Sequence, residues 1–175
     1  MDAARLSGNE VVAAVLSEAR AWEVLAQVAD PEIPVVSVCD LGIVREVHCR
    51  GEHVRVVLTP TYSGCPATEL IEGEVRGALL AAGALQVDIE TRLAPAWSTD
   101  WISAAGRDKL RAYGIVPPDV AVDGAQPVRI VRRNVECPRC GSRETTQLSQ
   151  FGSTACKALW RCERCREPFE YFKPL

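Results

Sequence analysis

The chain has 175 residues, of which 47% are hydrophobic and 25% charged, with a formal net charge of -3. That length suits one ordinary domain plus a small appendage, and the composition is that of a folded chain rather than a disordered one. The acidic balance gives no global electrostatic reason to bind nucleic acid. Arg129, Arg132, Arg133, Arg139 and Arg143 are interrupted by Glu136 and read as a solvated face.

No basic segment precedes an apolar core at the N-terminus, and no apolar run approaches the roughly 18 residues of a membrane span. A soluble protein in the reducing cytoplasm is therefore expected. In that setting eight cysteines with Cys-x-x-Cys spacing point to metal rather than to disulfides.

Apolar residues from Val12 to Ala26 recur every three or four positions, which predicts an amphipathic helix from Asn9, its cap, to about Val28. Asp30-Pro31 ends it, because a residue before proline is driven out of the helical region. Strands are predicted over Ile43 to Cys49 and His53 to Leu58, joined at Gly51 as an antiparallel hairpin. A second helix runs from Ala67 to Ala82, with Pro66 in its first turn and Gly83 at its end. Leu85 to Leu93 alternates as a third strand, and Trp101 to Tyr113 forms a third helix after Ser98, Thr99 and Asp100 as candidate caps.

This order predicts an α+β fold, a small mixed sheet with helices on one face, followed by a C-terminal β zinc ribbon. Pro117, Pro118, Gly124 and Pro127 mark a linker from Ile115 to Pro127, so the units are placed at 1–125 and 126–175.

In the second unit, Cys137-Pro-Arg-Cys140-Gly141 and Cys162-Glu-Arg-Cys165 are two knuckles separated by enough chain for a hairpin. Four thiolates so arranged suit one tetrahedral cation, zinc by default with iron chemically admissible, and a unit this small needs such a staple. Cys156 is not needed for that shell. It is expected to be a buried ribbon residue, the alternative being contact with another metal or a partner.

In the first unit, Cys65 stands between Gly64 and Pro66 at the start of the second helix, where a helix dipole favours a thiolate. A half-buried loop cysteine is the equal alternative on these grounds alone. His48 and His53 flank a turn, no Glu-x-x-His pairs lie on predicted helices, and no dinucleotide fingerprint follows a strand.

Asp30-Pro31-Glu32-Ile33-Pro34, Asp40-Leu41-Gly42-Ile43-Val44, Thr59-Pro60-Thr61 and Gly64-Cys65-Pro66 together resemble the small iron–sulfur assembly domain of SufT-like proteins. That likeness spans about residues 20–115. With a ribbon carrying Phe151-Gly-Ser-Thr-Ala-Cys-Lys-Ala and ending in Pro168-Phe-Glu-Tyr-Phe-Lys, the whole chain resembles the PaaD family associated with phenylacetyl-CoA epoxidase.

The resemblance implies an accessory subunit in aerobic phenylacetate breakdown, without catalytic residues of its own. It would help to mature or assemble the iron-containing centres of an oxygenase and a reductase, its partners. It also implies that Cys65 handles iron or a cluster transiently, with Asp40 and Thr61 lining the same pocket and Asp30, Glu32 and Glu69 as weaker candidates. Asp30, Asp40 and Glu69 each have a structural role open to them, the resemblance does not require a cysteine ligand at Cys39, and Cys49 is expected to be buried. Trp97 and Trp101 cover the domain edge or form a docking surface. The alternative function is a structural adaptor that docks through its ribbon, and a homodimer is left open.

Overall fold

The computed structural model describes residues 16–118 and 135–174. Helix α1 spans Glu18–Leu25, and the Ser17 hydroxyl caps it by accepting the Arg20 N–H at 3.2 Å. The expected cap Asn9 lies outside the described residues. Leu16 and Ser17 are not helical, so the described helix begins later than the periodicity suggests. After α1 the Asp30 carboxylate gathers the N–H groups of Glu32 and Ile33 at 2.9 and 2.8 Å. This side-chain turn folds the Pro31–Pro34 stretch back, and Asp30 N–H reaches Val36 O.

Strands β1 (Val44–Arg50) and β2 (His53–Leu58) form the predicted antiparallel hairpin, and Gly51 takes the positive φ of +61° that its turn requires. Helix α2 (Thr68–Ala81) then crosses over to β3 (Gln86–Thr91), which pairs parallel to β2. A parallel pair needs such a crossover. β2 is therefore the central strand, and Val54, Val56, Val57 and Leu58 are buried on both of its faces. Ile71, Val75 and Leu79 make the buried stripe of α2 at helical spacing.

The helix expected over Trp101 to Tyr113 is split. A 3-10 turn covers Thr99–Trp101, Ile102 is extended, and α3 (Ala104–Tyr113) starts from Ser103, whose hydroxyl accepts the Gly106 N–H at 2.9 Å. The break follows from Ser103 N–H donating to Asp40 O at 2.8 Å, which pins the backbone between the two turns. Gly114 ends α3 with φ +93°, as its position predicts.

A second sheet contains β4 (Ile115–Val116), β5 (Thr145–Ser149), β6 (Lys157–Cys162) and β7 (Pro168–Phe172), in the order β4-β7-β6-β5. β5, β6 and β7 form the antiparallel ribbon. β4 corrects the linker assignment: its two residues pair parallel to Glu170 and Tyr171 of β7, so the chain joins the ribbon sheet as soon as α3 ends. The boundary placed at residue 125 lies outside the described residues.

The larger hydrophobic core contains residues of both units. Phe172 and Cys156 of the ribbon are buried among Leu41, Ile43, Ile71 and Trp97. The Phe172 and Trp97 rings lie 5.8 Å apart at 41°, and the Trp97 indole N–H donates to Leu41 O at 2.9 Å. Trp97 thus receives the chain's own ribbon. Trp101 is half-buried under the Arg45 guanidinium, 3.6 Å from the ring centre.

Candidate metal cage and thiol cleft

In the ribbon, the sulfurs of Cys137, Cys140, Cys162 and Cys165 all lie within 4.8 Å of one another. Two edges are 3.7 Å (Cys137 to Cys165) and 3.6 Å (Cys140 to Cys162). Zinc–sulfur bonds of about 2.3 Å in a tetrahedron require edges of about 3.8 Å, so the cage fits that ion. Each knuckle is shaped by its backbone. Gly141, at φ +70°, donates to Cys137 O at 2.9 Å, and Arg166, at φ +65°, donates to Cys162 O at 3.0 Å.

The N–H groups of Cys165 and Arg164 bring the Cys162 thiol down to about 6. At Cys165 the N–H of Glu167 acts in the same direction, but burial and the neighbouring thiols outweigh it and push the group up to about 12. Four sulfurs this close therefore need a cation to ionise together.

The second site is a narrow cleft where the units meet. Asp30, Glu32, Pro60, Thr61, Cys65 and Ile71 line it from the first unit, and Cys156 and Phe172 close it from the ribbon. Cys65 is half-buried, three residues ahead of α2, and its carbonyl accepts from the Thr68 N–H and hydroxyl at 3.2 and 2.9 Å. Pro66 lies in the turn before the helix rather than inside it. Burial pushes the Tyr62 hydroxyl up to about 12, reinforced by the nearby Cys65 thiol, the Glu32 carboxylate and the Cys156 thiol.

Asp30 is 6% exposed, and burial raises its pKa against the two N–H bonds and the Lys157 charge. Burial, followed by the Asp30 charge, also raises Glu32.

Thr61 and Cys65 line this cleft, and Asp40 does not. The Asp40 carboxylate accepts from Ser37 N–H at 3.0 Å, Ser103 Oγ at 3.2 Å and Lys109 Nζ at 2.6 Å. Burial works against its ionisation, yet Lys109 and Ser37 outweigh it and hold the group below the usual carboxylate range. It braces the Leu41-Gly42 turn against α3, the structural role open to it.

Glu69 is exposed in the first turn of α2. Cys39 is half-buried, and burial followed by the Asp40 charge pushes it up to about 12. Cys49 is half-buried rather than buried, at the end of β1, where its N–H donates to the Glu18 carboxylate.

Known proteins resemble this chain over both units. Residues 124–173 match the family described as PaaD zinc beta ribbon domain, and residues 18–90 match that described as iron-sulfur cluster assembly protein. A protein of Escherichia coli (strain K12), described as a putative component of 1,2-phenylacetyl-CoA epoxidase, is 51% identical over 152 residues, 87% of this chain and 90% of that protein. The chain belongs to the PaaD family. An "Fe-S protein maturation auxiliary factor" of Porphyromonas gingivalis (strain ATCC BAA-308 / W83) is 37% identical over 45% of this chain and 76% of its own. A DUF59 domain of Bacillus anthracis superimposes with a TM-score of 0.50 at 25% identity, covering 53% of this chain and 90% of that domain.

In this PaaD-family chain, two residues near the cleft carry little or no local sequence signal. Tyr62 has no motif to mark it as a partner of Cys65. Lys157 is a charged residue with a side chain only 3% exposed, held 2.9 Å from Glu170. An alternating pattern around Lys157 gives a partial signal, since Cys156, Ala158 and Trp160 predict one buried face, but Lys157 on the opposite face is buried as well. Cys156 is buried as expected, at 4% exposure, although in the core shared with the first unit. Among the described residues, no helix is long and apolar enough to cross a membrane.

Proposed function

We propose that this chain is a cytoplasmic accessory subunit of a phenylacetyl-CoA epoxidase system that helps to mature the iron-containing centres of its oxygenase and reductase partners. The observation that carries the proposal is Cys65 itself: a half-buried thiol on a loop ahead of α2, in a cleft with Thr61 and two carboxylates. A thiolate with hard oxygen neighbours is a donor set suited to an iron ion or a cluster edge in passage. Iron is the cargo. The similarity to a maturation auxiliary factor over 45% of this chain supports the same reading.

Cys65 would bind the cargo, and Thr61 would contact it through its hydroxyl. Asp40 would act as a positioning residue by fixing the turn that carries Leu41 and Ile43 into the cleft wall. The ribbon would hold zinc through Cys137, Cys140, Cys162 and Cys165. A closed four-thiolate shell leaves no open coordination position, so that ion would stabilise the fold rather than take part in chemistry.

The test is to co-express the oxygenase and reductase with wild-type or Cys65→Ser chain and to measure their iron content. Loss of loading with retained pull-down of the partners is expected. Unchanged loading would leave the docking adaptor as the better reading, with Cys162→Ser then expected to abolish partner binding.

A further inference from the structure

The ribbon is attached so that one of its thiols enters the cleft of the other unit. We infer that Cys156 and Cys65, with the Asp30 carboxylate, form a second metal site that takes a single divalent transition-metal ion and is completed only when the ribbon is docked.

Three independent features meet there. The two thiols and Asp30 line one cavity although Cys156 lies about ninety residues beyond Cys65 and farther still from Asp30. Tyr62 feels both thiols, and Cys156 in turn feels the charges of Glu32 and Asp30, in keeping with the shared lining of that cavity. Phe172 and Trp97 hold the ribbon's core residues against the same wall.

The chemistry selects the ligand. Two soft sulfurs and a hard carboxylate oxygen suit a borderline divalent ion of the iron class better than calcium or magnesium, which take oxygen ligands. Asp30 Oδ1 is committed to two N–H groups, leaving Oδ2 to offer. The cavity, about 10 Å³, admits about one water-sized sphere, which favours one ion over a multi-iron cluster.

Among the described residues, the cage of Cys137, Cys140, Cys162 and Cys165 is the group whose ligand atoms lie within 4.8 Å of one another. The cleft groups do not meet that spacing, so binding would draw Cys65 inward on its loop. The Cys156 thiol, raised by burial against the Thr154 hydrogen bond, would lose its proton to solvent as the sulfur bonds the cation, and Cys65 would release its own in the same way. The proposal rests on the assignment of Cys65 as an iron-handling group and adds a ligand from the ribbon that this assignment does not require.

The test is anaerobic titration of the zinc-loaded full-length chain with Co²⁺, reading the thiolate-to-cobalt charge-transfer band while counting bound zinc. The native chain is expected to bind one Co²⁺ beside its zinc. Cys156→Ser and Cys65→Ser are each expected to lose about half the band or all of it, with zinc content unchanged. A Cys156→Ser titration identical to wild type, with Cys65→Ser deficient, would overturn the composite site and leave Cys65 as the iron handler. Wild-type behaviour of both variants would overturn both.

X-ray absorption at the cobalt edge of the unmutated chain guards against misfolded variants. Two sulfur neighbours are expected, whereas one or none would overturn the inference. Four sulfurs with an equivalent of released zinc would report exchange into the ribbon and would overturn it as well.

Discussion

Replacing Phe172 by alanine tests whether the two units are one cooperative body. Phe172 has no exposed surface and spans the junction, with its ring 5.8 Å from that of Trp97 and its edge in the cleft wall beside Ile71 and Cys156. A buried Phe→Ala change costs about 3–5 kcal/mol, combining the lost transfer energy with the cavity left behind. For a chain of this size each kcal/mol moves the midpoint by about 2–4 °C, so a fall of about 6–20 °C is expected.

The change lies outside the metal cage, so zinc content should hold near one ion while the junction opens. The assay is thermal unfolding followed by circular dichroism, with zinc measured on the same samples and limited proteolysis between the units. A loss below about 1 kcal/mol, or two independent transitions in the wild type, would refute the shared core, because an exposed or loosely packed ring costs little to remove.

Four further outcomes follow. Gly42→Ala should destabilise, since φ is +66° and a Cβ would sit 2.5 Å from Trp101 O, whereas exposed Gly77→Ala in α2 should stabilise by about 1 kcal/mol; urea midpoints of the pair check the contrast. Chelating the ribbon metal should unfold β5 to β7, seen as lost tertiary signal that returns with zinc, and Cys162→Ser should do the same irreversibly.

Asp30 and Asp40 should show opposite pH signs. Asp40 is lowered, so its stabilisation is present above the ordinary carboxylate range and fades as pH falls through its folded value; Asp40→Asn should flatten that acid limb. Asp30 is raised, so stability falls as pH climbs from its unfolded to its folded value; Asp30→Asn, which keeps an acceptor for Glu32 and Ile33 N–H, should be at least as stable as wild type at pH 7 with the advantage shrinking towards acid. Thermal midpoints across pH decide both.

The legible parts of the chain were those with local signals. The two Cys-x-x-Cys knuckles, the hairpin turning at Gly51, the α2 stripe and the α3 stop at Gly114 are written within a few residues of where they act. What was not legible depends on distant partners. Ile115 and Val116 look like the start of a proline-marked linker and become a strand only because β7, more than fifty residues later, offers a parallel edge.

The family resemblance alone places Asp40 in the pocket, and its motif neighbours Leu41 and Ile43 do line the cleft wall. Its carboxylate instead turns to Lys109 and Ser103, a pairing created when α3 packs against the turn. Cys156 was readable as buried, but the identity of its neighbours was set by how the ribbon docks, which no periodicity encodes.

The central claim is that Cys65 holds iron in a place separate from the ribbon's four thiols. It is tested most directly by equilibrium dialysis of anaerobically purified chain against Fe²⁺, so that exchanging metal is counted, measuring bound iron and zinc together with the absorption spectrum. The wild type should retain about one iron beside one zinc, with thiolate-to-iron bands, and Cys65→Ser should retain zinc alone. Zinc alone in the wild type, or iron retained undiminished by Cys65→Ser, would contradict the account.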